Sequence, residues 1–201
     1  MSGLSKASVT RLPRYLRLLD HLKGASDTVS SAALALAADT NPANARRDLS
    51  VLGFQGTRGV GYSVPALRDR IRRELGIESR RKVAIVGAGN LGTALARYSG
   101  LSKRGFDVVA IYDVNPKLLG KPVGDISVQG IEEMSKHGRV DFEMAILAVP
   151  AGSAQGVADE LVAAGIASIL NFAPVRVEVP ETVAVRQVDL STELQILSYY
   201  G

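Results

Sequence analysis

Gly87, Gly89 and Gly92 stand in the spacing G-x-G-x-x-G, within the run Val86-Gly87-Ala88-Gly89-Asn90-Leu91-Gly92. The chemistry open to such a run is capture of a phosphate by the backbone itself. Gly87 permits a tight turn, Gly89 lets the main chain approach a pyrophosphate, and Gly92 lets the following helix pack against the preceding strand. Free N–H groups at that helix start, and the positive end of its dipole, face the anion. Asp113 follows Gly92 by 21 residues, where a carboxylate that binds an adenosine ribose belongs. No arginine follows it closely, which favours NAD(H) over NADP(H). The competing reading of Asp113 is a turn former ahead of Asn115-Pro116.

These residues need a strand, a helix and a second strand to position them. Residues 83–86 are a short apolar, β-branched run that reads as a buried parallel strand, and a helix-forming segment starts at Thr93. A second strand over 107–112 ends at Asp113. Further strands are expected at 126–128, 142–149, 167–171 and 183–188, with helices at 131–137 and 150–164. This alternation predicts a Rossmann-type, doubly wound parallel sheet. Ligands gather at strand ends in such sheets, so Ala148-Val149-Pro150 and Asn171-Phe172-Ala173-Pro174 are candidates to line a nicotinamide. The last segment, 189–200, is an amphipathic helix carrying Leu190, Leu194, Ile196 and Tyr200, an element of the kind exchanged between subunits.

The first 80 residues read differently. Ser8 can cap a helix reaching Lys23, with Leu12, Tyr15, Leu16, Leu19 and Leu22 on one face; Pro13 argues for a start later than Ser8. A short helix capped by Ser30 or Ser31 runs to about Ala38. Asn41 caps a third helix over 43–52, with Pro42 suited to its first position. The last two helices make a helix-turn-helix whose second member would present Asn44, Arg46, Arg47 and Ser50 to a DNA major groove. Gly53 to Tyr62 holds four glycines interleaved with Phe54, Val60 and Tyr62 and reads as a β-hairpin, hence a wing. Arg58 and Gly59 lie at its tip, where an arginine can enter a minor groove. A fourth helix opens at Pro65.

Charge separates the two halves. Residues 1–80 carry 13 Lys and Arg against 7 Asp and Glu, whereas residues 81–201 are net −2. A small basic domain beside a nucleotide-binding one points to a polyanionic partner. The chain lacks Cys, so neither disulfides nor thiolate metal sites are possible, and no metal is expected. No apolar run is long enough to span a membrane, and the N-terminus does not read as a signal peptide, so a cytoplasmic protein is expected. The organisation expected is a winged helix over 1–78, a dinucleotide-binding domain over 79–188 and a C-terminal helix over 189–201.

Five separated stretches carry a resemblance that runs end to end. They are Arg46-Arg47-Asp48-Leu49-Ser50, Gly56-Thr57-Arg58-Gly59-Val60-Gly61-Tyr62, the glycine run, Asn171-Phe172-Ala173-Pro174 and Val188-Asp189-Leu190-Ser191-Thr192-Glu193-Leu194. Together they resemble the Rex family of redox-sensing transcriptional repressors. The resemblance implies a homodimer that reads the NADH/NAD+ ratio, binds palindromic double-stranded operators and is released by NADH. It also implies a C-terminal helix swapped between subunits, and a switch formed by Arg17, Tyr98 and Asp189, with Tyr98 near the cofactor. Val51 departs from the aromatic residue the family often carries at that point.

An NAD-dependent oxidoreductase and a CoA-binding Rossmann protein share the glycine run. The first needs a proton donor or acceptor at the nicotinamide, yet the only histidines are His21, on the first helix, and His137, away from the strand ends. The second leaves the wing without a purpose. A sensor that is not an enzyme accounts for both halves.

Overall fold

A computed structural model gives the fold for residues 3–136 and 140–200; His137 lies outside the described residues. The chain forms two compact units, Met1–Ser79 and Arg80–Gly201.

The first unit packs four helices: α1 (Lys6–Leu22), α2 (Ser31–Ala37), α3 (Pro42–Val51) and α4 (Val64–Glu74). Leu12, Tyr15 and Leu19 of α1 meet Leu34, Leu49, Leu67 and Ile71 in a core closed to solvent. The start of α1 corrects the sequence expectation. Ser5, not Ser8, is the N-cap, accepting from the Ser8 amide at 3.1 Å, and Ser8 is buried one turn inside. Pro13 therefore sits in the helix interior, where it removes one backbone hydrogen bond; the apolar stripe buried on either side of it offsets that loss. Ser30 caps α2, and Asn41 Oδ1 accepts from the Asn44 amide at 2.8 Å to cap α3 ahead of Pro42.

The wing is also smaller than expected. The glycine-rich stretch forms no hairpin of two strands: Thr57 and Gly61 make one isolated bridge around a tight turn in which Gly59 has φ +79°. The strand that follows, β2 (Tyr62–Ser63), pairs antiparallel with β1 (Thr28–Val29) instead. Glycines offer a cross-strand partner no side chain to pack, so the paired strands begin only where Tyr62 can be buried.

The second unit is built on a seven-stranded sheet. Its strands are β3 (Arg81–Val86), β4 (Phe106–Asp113), β5 (Pro122–Val123), β6 (Ile126–Gly130), β7 (Met144–Leu147), β8 (Ser168–Asn171) and β9 (Ala184–Gln187), in the order β5-β6-β4-β3-β7-β8-β9. Apart from the short antiparallel edge strand β5, which the sequence pattern did not reveal, every neighbouring pair is parallel. Counted among the parallel strands alone, the order is 3-2-1-4-5-6, that of a dinucleotide-binding sheet. The helix after the glycine run comes in two pieces, α5 (Asn90–Ala96) and α6 (Ser99–Lys103), broken at Arg97 and Tyr98. Leu95 and Leu101 from these pieces pack with Ile85 and Ile111 on one face. On the other face α7 (Glu132–Lys136) and α8 (Ala151–Ala163) deliver Met134, Ala154, Val157 and Leu161 to Val86, Tyr112 and Leu147.

The winding is incomplete on one side. Among the described residues, no helix or strand lies between β8 and β9, so the face carrying α5 and α6 is left open over β7, β8 and β9. An apolar groove of about 280 Å³ remains there, lined by Val83, Phe106, Met144, Ile146, Leu170 and Ala184 among others. The last helix, α9 (Leu190–Tyr200), has no buried residue, with Leu194 64% and Tyr200 78% exposed.

Candidate functional site

The carboxyl ends of β3, β4 and β7 surround a cleft of about 490 Å³. Its wall is the glycine run. Gly87 has φ +105°, and a Cβ there would run into the Ala148 carbonyl; a Cβ on Gly92 would run into the Gly87 carbonyl. Gly89 differs, because a Cβ there would meet nothing within 4 Å. The chain itself does not demand glycine at that point, and the free space lies where a pyrophosphate would approach the α5 N-terminus. Asp113 closes the far side. Its Oδ2 accepts from the Ala88 amide at 2.7 Å and its Oδ1 from the Asn115 amide at 2.8 Å. The turn-forming role of Asp113 is therefore real, and so is its place in the cleft. A carboxylate offers about four acceptor positions, so two backbone bonds leave capacity for ribose hydroxyls.

Of the residues expected from the sequence, Gly87, Gly89, Asn90, Leu91, Asp113, Ala148, Val149 and Pro150 line this one cleft. Ala88 and Gly92 are buried in the loop's support. Tyr98 does not line it. The residue stands at the N-cap of α6, a whole short helix away from the glycine turn, is 53% exposed, and borders a separate depression with Asp107 and Asp125. The stretch Asn171-Phe172-Ala173-Pro174 is likewise absent from the lining. Asn171 is fully buried: its Oδ1 accepts from the Ala173 amide, while its Nδ2 donates to the Val175 carbonyl and to Gln187 Oε1. That amide braces the end of β8 against the end of β9. Sequence reasoning missed Ile131, just past β6, and Ser153, in the first turn of α8; the strand-end rule points to Ile131.

In the first unit α3 has two faces. Arg46, Arg47 and Ser50 are exposed, and Arg58 and Gly59 are exposed in the turn after it. Asn44 is half-buried, donating to Thr40 Oγ1 at 3.0 Å, so it is already partly engaged. The inner face buries Ala45, Leu49 and a carboxylate, Asp48. Arg11 Nε and Nη2 each donate to Asp48 at 2.7 Å, and the Tyr15 hydroxyl donates at 2.9 Å. Burial alone would raise the Asp48 carboxyl, but hydrogen bonds from Arg11, Ser8 and Tyr15 and the Arg11 charge hold it below the usual carboxylate value. The Tyr15 phenol is pushed up by its own burial and by that carboxylate. Of the expected switch residues, Arg17 is exposed on α1, and Asp189 caps α9 by accepting from the Ser191 amide and from Thr192. Those bonds, the Thr192 hydroxyl first, hold the Asp189 carboxyl below its usual value.

Comparison with known proteins follows the same division. A model described as "CoA binding domain" matches residues 78–175, and one described as "Putative DNA-binding protein N-terminus" matches residues 3–50. Neither model spans both units. The redox-sensing transcriptional repressor Rex of Streptomyces coelicolor does: it is 53% identical over 200 residues, covering 98% of this chain and 78% of its own. The chain belongs to the Rex family. A Rex of Carboxydothermus hydrogenoformans is 42% identical, with 98% of this chain and 95% of its own covered. Among solved structures, the Rex-family repressor RSP matches 100% of this chain with a TM-score of 0.88 at 36% identity, covering 94% of its own. RSP in complex with β-NAD+ and operator DNA gives a TM-score of 0.90, and its complex with β-NADH gives 0.86. These Rex relatives are named repressors, and the glycine cleft is to be read in that light.

Proposed function

We propose that this Rex-family chain is a DNA-binding transcriptional repressor that senses the NADH/NAD+ ratio, and is not an enzyme. The observation that carries this reading is the match over the whole chain to RSP bound to β-NAD+ and operator DNA and to RSP bound to β-NADH. The cleft fits that cofactor class. Backbone amides at the start of α5 receive the pyrophosphate beside Gly89, Asp113 takes ribose hydroxyls with Ile131 of the neighbouring β6 end on the same side, and Val149 and Pro150 after β7 flank the nicotinamide half. Reduced nicotinamide is neutral and the oxidised ring is cationic, so apolar walls favour NADH. Arg46, Arg47 and Ser50 read a major groove, with Arg58 and Gly59 of the turn beside it.

A homodimer completes the reading. The exposed apolar α9 and the open sheet face are surfaces that one chain leaves uncovered, and a second copy brings matching elements. Swapped α9 helices would carry Asp189 to the partner's Arg17, with Tyr98 beside them, as the Rex resemblance implies. NADH then acts by binding one arrangement of the dimer better than the arrangement that holds DNA. A repressor of chromosomal operators works in the cytoplasm, and no described helix is long and apolar enough to cross a membrane.

Titrating a preformed operator complex with NADH and with NAD+, while sedimentation reports chains per duplex, tests these points together. NADH should release the DNA at concentrations where NAD+ leaves it bound, from a complex of two chains per duplex. Equal release by both forms would sink redox sensing, and one chain per duplex would sink the homodimer.

A further inference from the structure

The buried carboxylate of α3 is not explained by stability. Asp48 is 2% exposed, and both its oxygens are engaged by α1, through the forked guanidinium of Arg11 and the hydroxyl of Tyr15. Arg11 Nη2 also donates to Ser8 Oγ at 3.4 Å, so the guanidinium is itself held in place. Removing such a pair from water costs about as much as its attraction returns, and apolar side chains of similar volume often stabilise a core better. A bidentate Arg–carboxylate pair supplies something apolar packing does not: it accepts one distance and one orientation. Leucines let two packed helices rotate slightly against each other at little cost.

Rotation is what a reading helix must avoid. Asp48 lies between Arg47 and Ser50, so its anchor sets the angle at which the outward side chains leave α3. At a radius of about 6 Å from the helix axis, a turn of roughly 20° moves a side-chain tip by about 2 Å. A bidentate contact to a base edge does not survive that shift, whereas attraction to phosphates does. We propose that Asp48, clamped by Arg11 and Tyr15, is a positioning residue for sequence discrimination, fixing the rotational setting of α3 under Arg46, Arg47 and Ser50. The inference rests on the DNA-binding reading above.

The test uses the full chain and two probes. One is a palindromic duplex selected from a randomised pool by the wild-type protein, and the other is a scrambled duplex of equal length and composition. The triple variant Arg11→Met, Tyr15→Phe, Asp48→Leu replaces the clamp by apolar groups of similar size. It should keep cooperative melting, NADH affinity, binding to the scrambled duplex and the salt slope. Its preference for the selected duplex should fall by about tenfold or more. Asp48→Glu keeps the charge and displaces it by one methylene, so it should lose preference too, and it reports should the triple variant fail to fold. Full preference in either folded variant overturns the positioning role while leaving the repressor reading intact. Failure of the wild type to select any duplex overturns the repressor reading itself.

Discussion

The cleft of the second unit and the proposed reading face of the first are made of different material. The turn that walls the cleft is backbone: Gly87 and Gly92 are there because a Cβ would strike a carbonyl, and Gly89 leaves open space ahead of α5. The reading face is side chain, and its three exposed residues stand on a helix whose inner side is fixed by a buried ion pair from α1. A backbone site is fixed once the chain folds. A side-chain site also needs its platform held at one angle. The two are therefore damaged by different substitutions, and each can be broken without the other.

The largest effect belongs to Gly92→Ala. A methyl group against the Gly87 carbonyl forces α5 away from β3 and spoils the turn at once, a steric cost of about 3 kcal/mol or more. NADH affinity should fall by more than about a hundredfold in a fluorescence titration, while the first unit still binds operator. Retained NADH affinity would mean that the cleft does not depend on the backbone turn. Asp113 comes next. Asp113→Ala removes charged acceptors worth about 1.5–3 kcal/mol, and affinity for NADH should drop about ten- to a hundredfold. Asp113→Asn keeps an acceptor for one backbone amide, so it separates turn from ligand: unchanged NADH affinity in that variant would leave the residue as a turn former only.

How much of each region the sequence disclosed follows from the same distinction. The run at 83–86, the glycine spacing, Asp113 and the Asn41-Pro42 cap are local patterns, and each is where the pattern places it. Local patterns do not report what tertiary burial decides. Ser8 has the residue type of a cap, yet α1 begins earlier because Ser8 is covered in the folded unit and Ser5 is free to cap. The break at Arg97–Tyr98, which removes Tyr98 from the cleft, has no proline or glycine at the break to announce it. The Arg11–Asp48 pair joins positions 37 apart, and nothing in either neighbourhood names the other. The outward arginines of α3 were legible as a face; what holds that face was not.

A smaller effect separates outward from inward residues. Arg46→Ala and Arg47→Ala should each weaken operator binding by about 1–3 kcal/mol and leave NADH affinity unchanged. If one contacts a base, the loss is confined to the selected duplex; if it contacts phosphate, scrambled DNA weakens equally and the salt slope falls by about one. Loss of NADH affinity in either variant would make α3 a structural helix and erase the contrast between the two regions.

The smallest effect is a pH dependence confined to one region. Asp48 has a folded pKa below its unfolded value of about 3.9, so its contribution to stability is complete above that value and is lost as pH falls through the folded one. Tyr15 has a folded pKa above its unfolded value of about 10, so its contribution is lost as pH rises beyond that. Hydrogen-exchange protection of α1 and α3 in the wild type, measured relative to the triple clamp variant, should therefore move in the variant's favour below about pH 4 and above about pH 10, whatever its sign at neutral pH, and stay level between. Asp107 and Asp189 are also held low, by Arg80 and by Thr192, but both lie in the second unit, where solvent screens their interactions. Protection of β3 and β4 should show no comparable difference between the two proteins. An equal acid loss there would mean that the clamp does not act on its own unit, and the independence of the two regions would go with it.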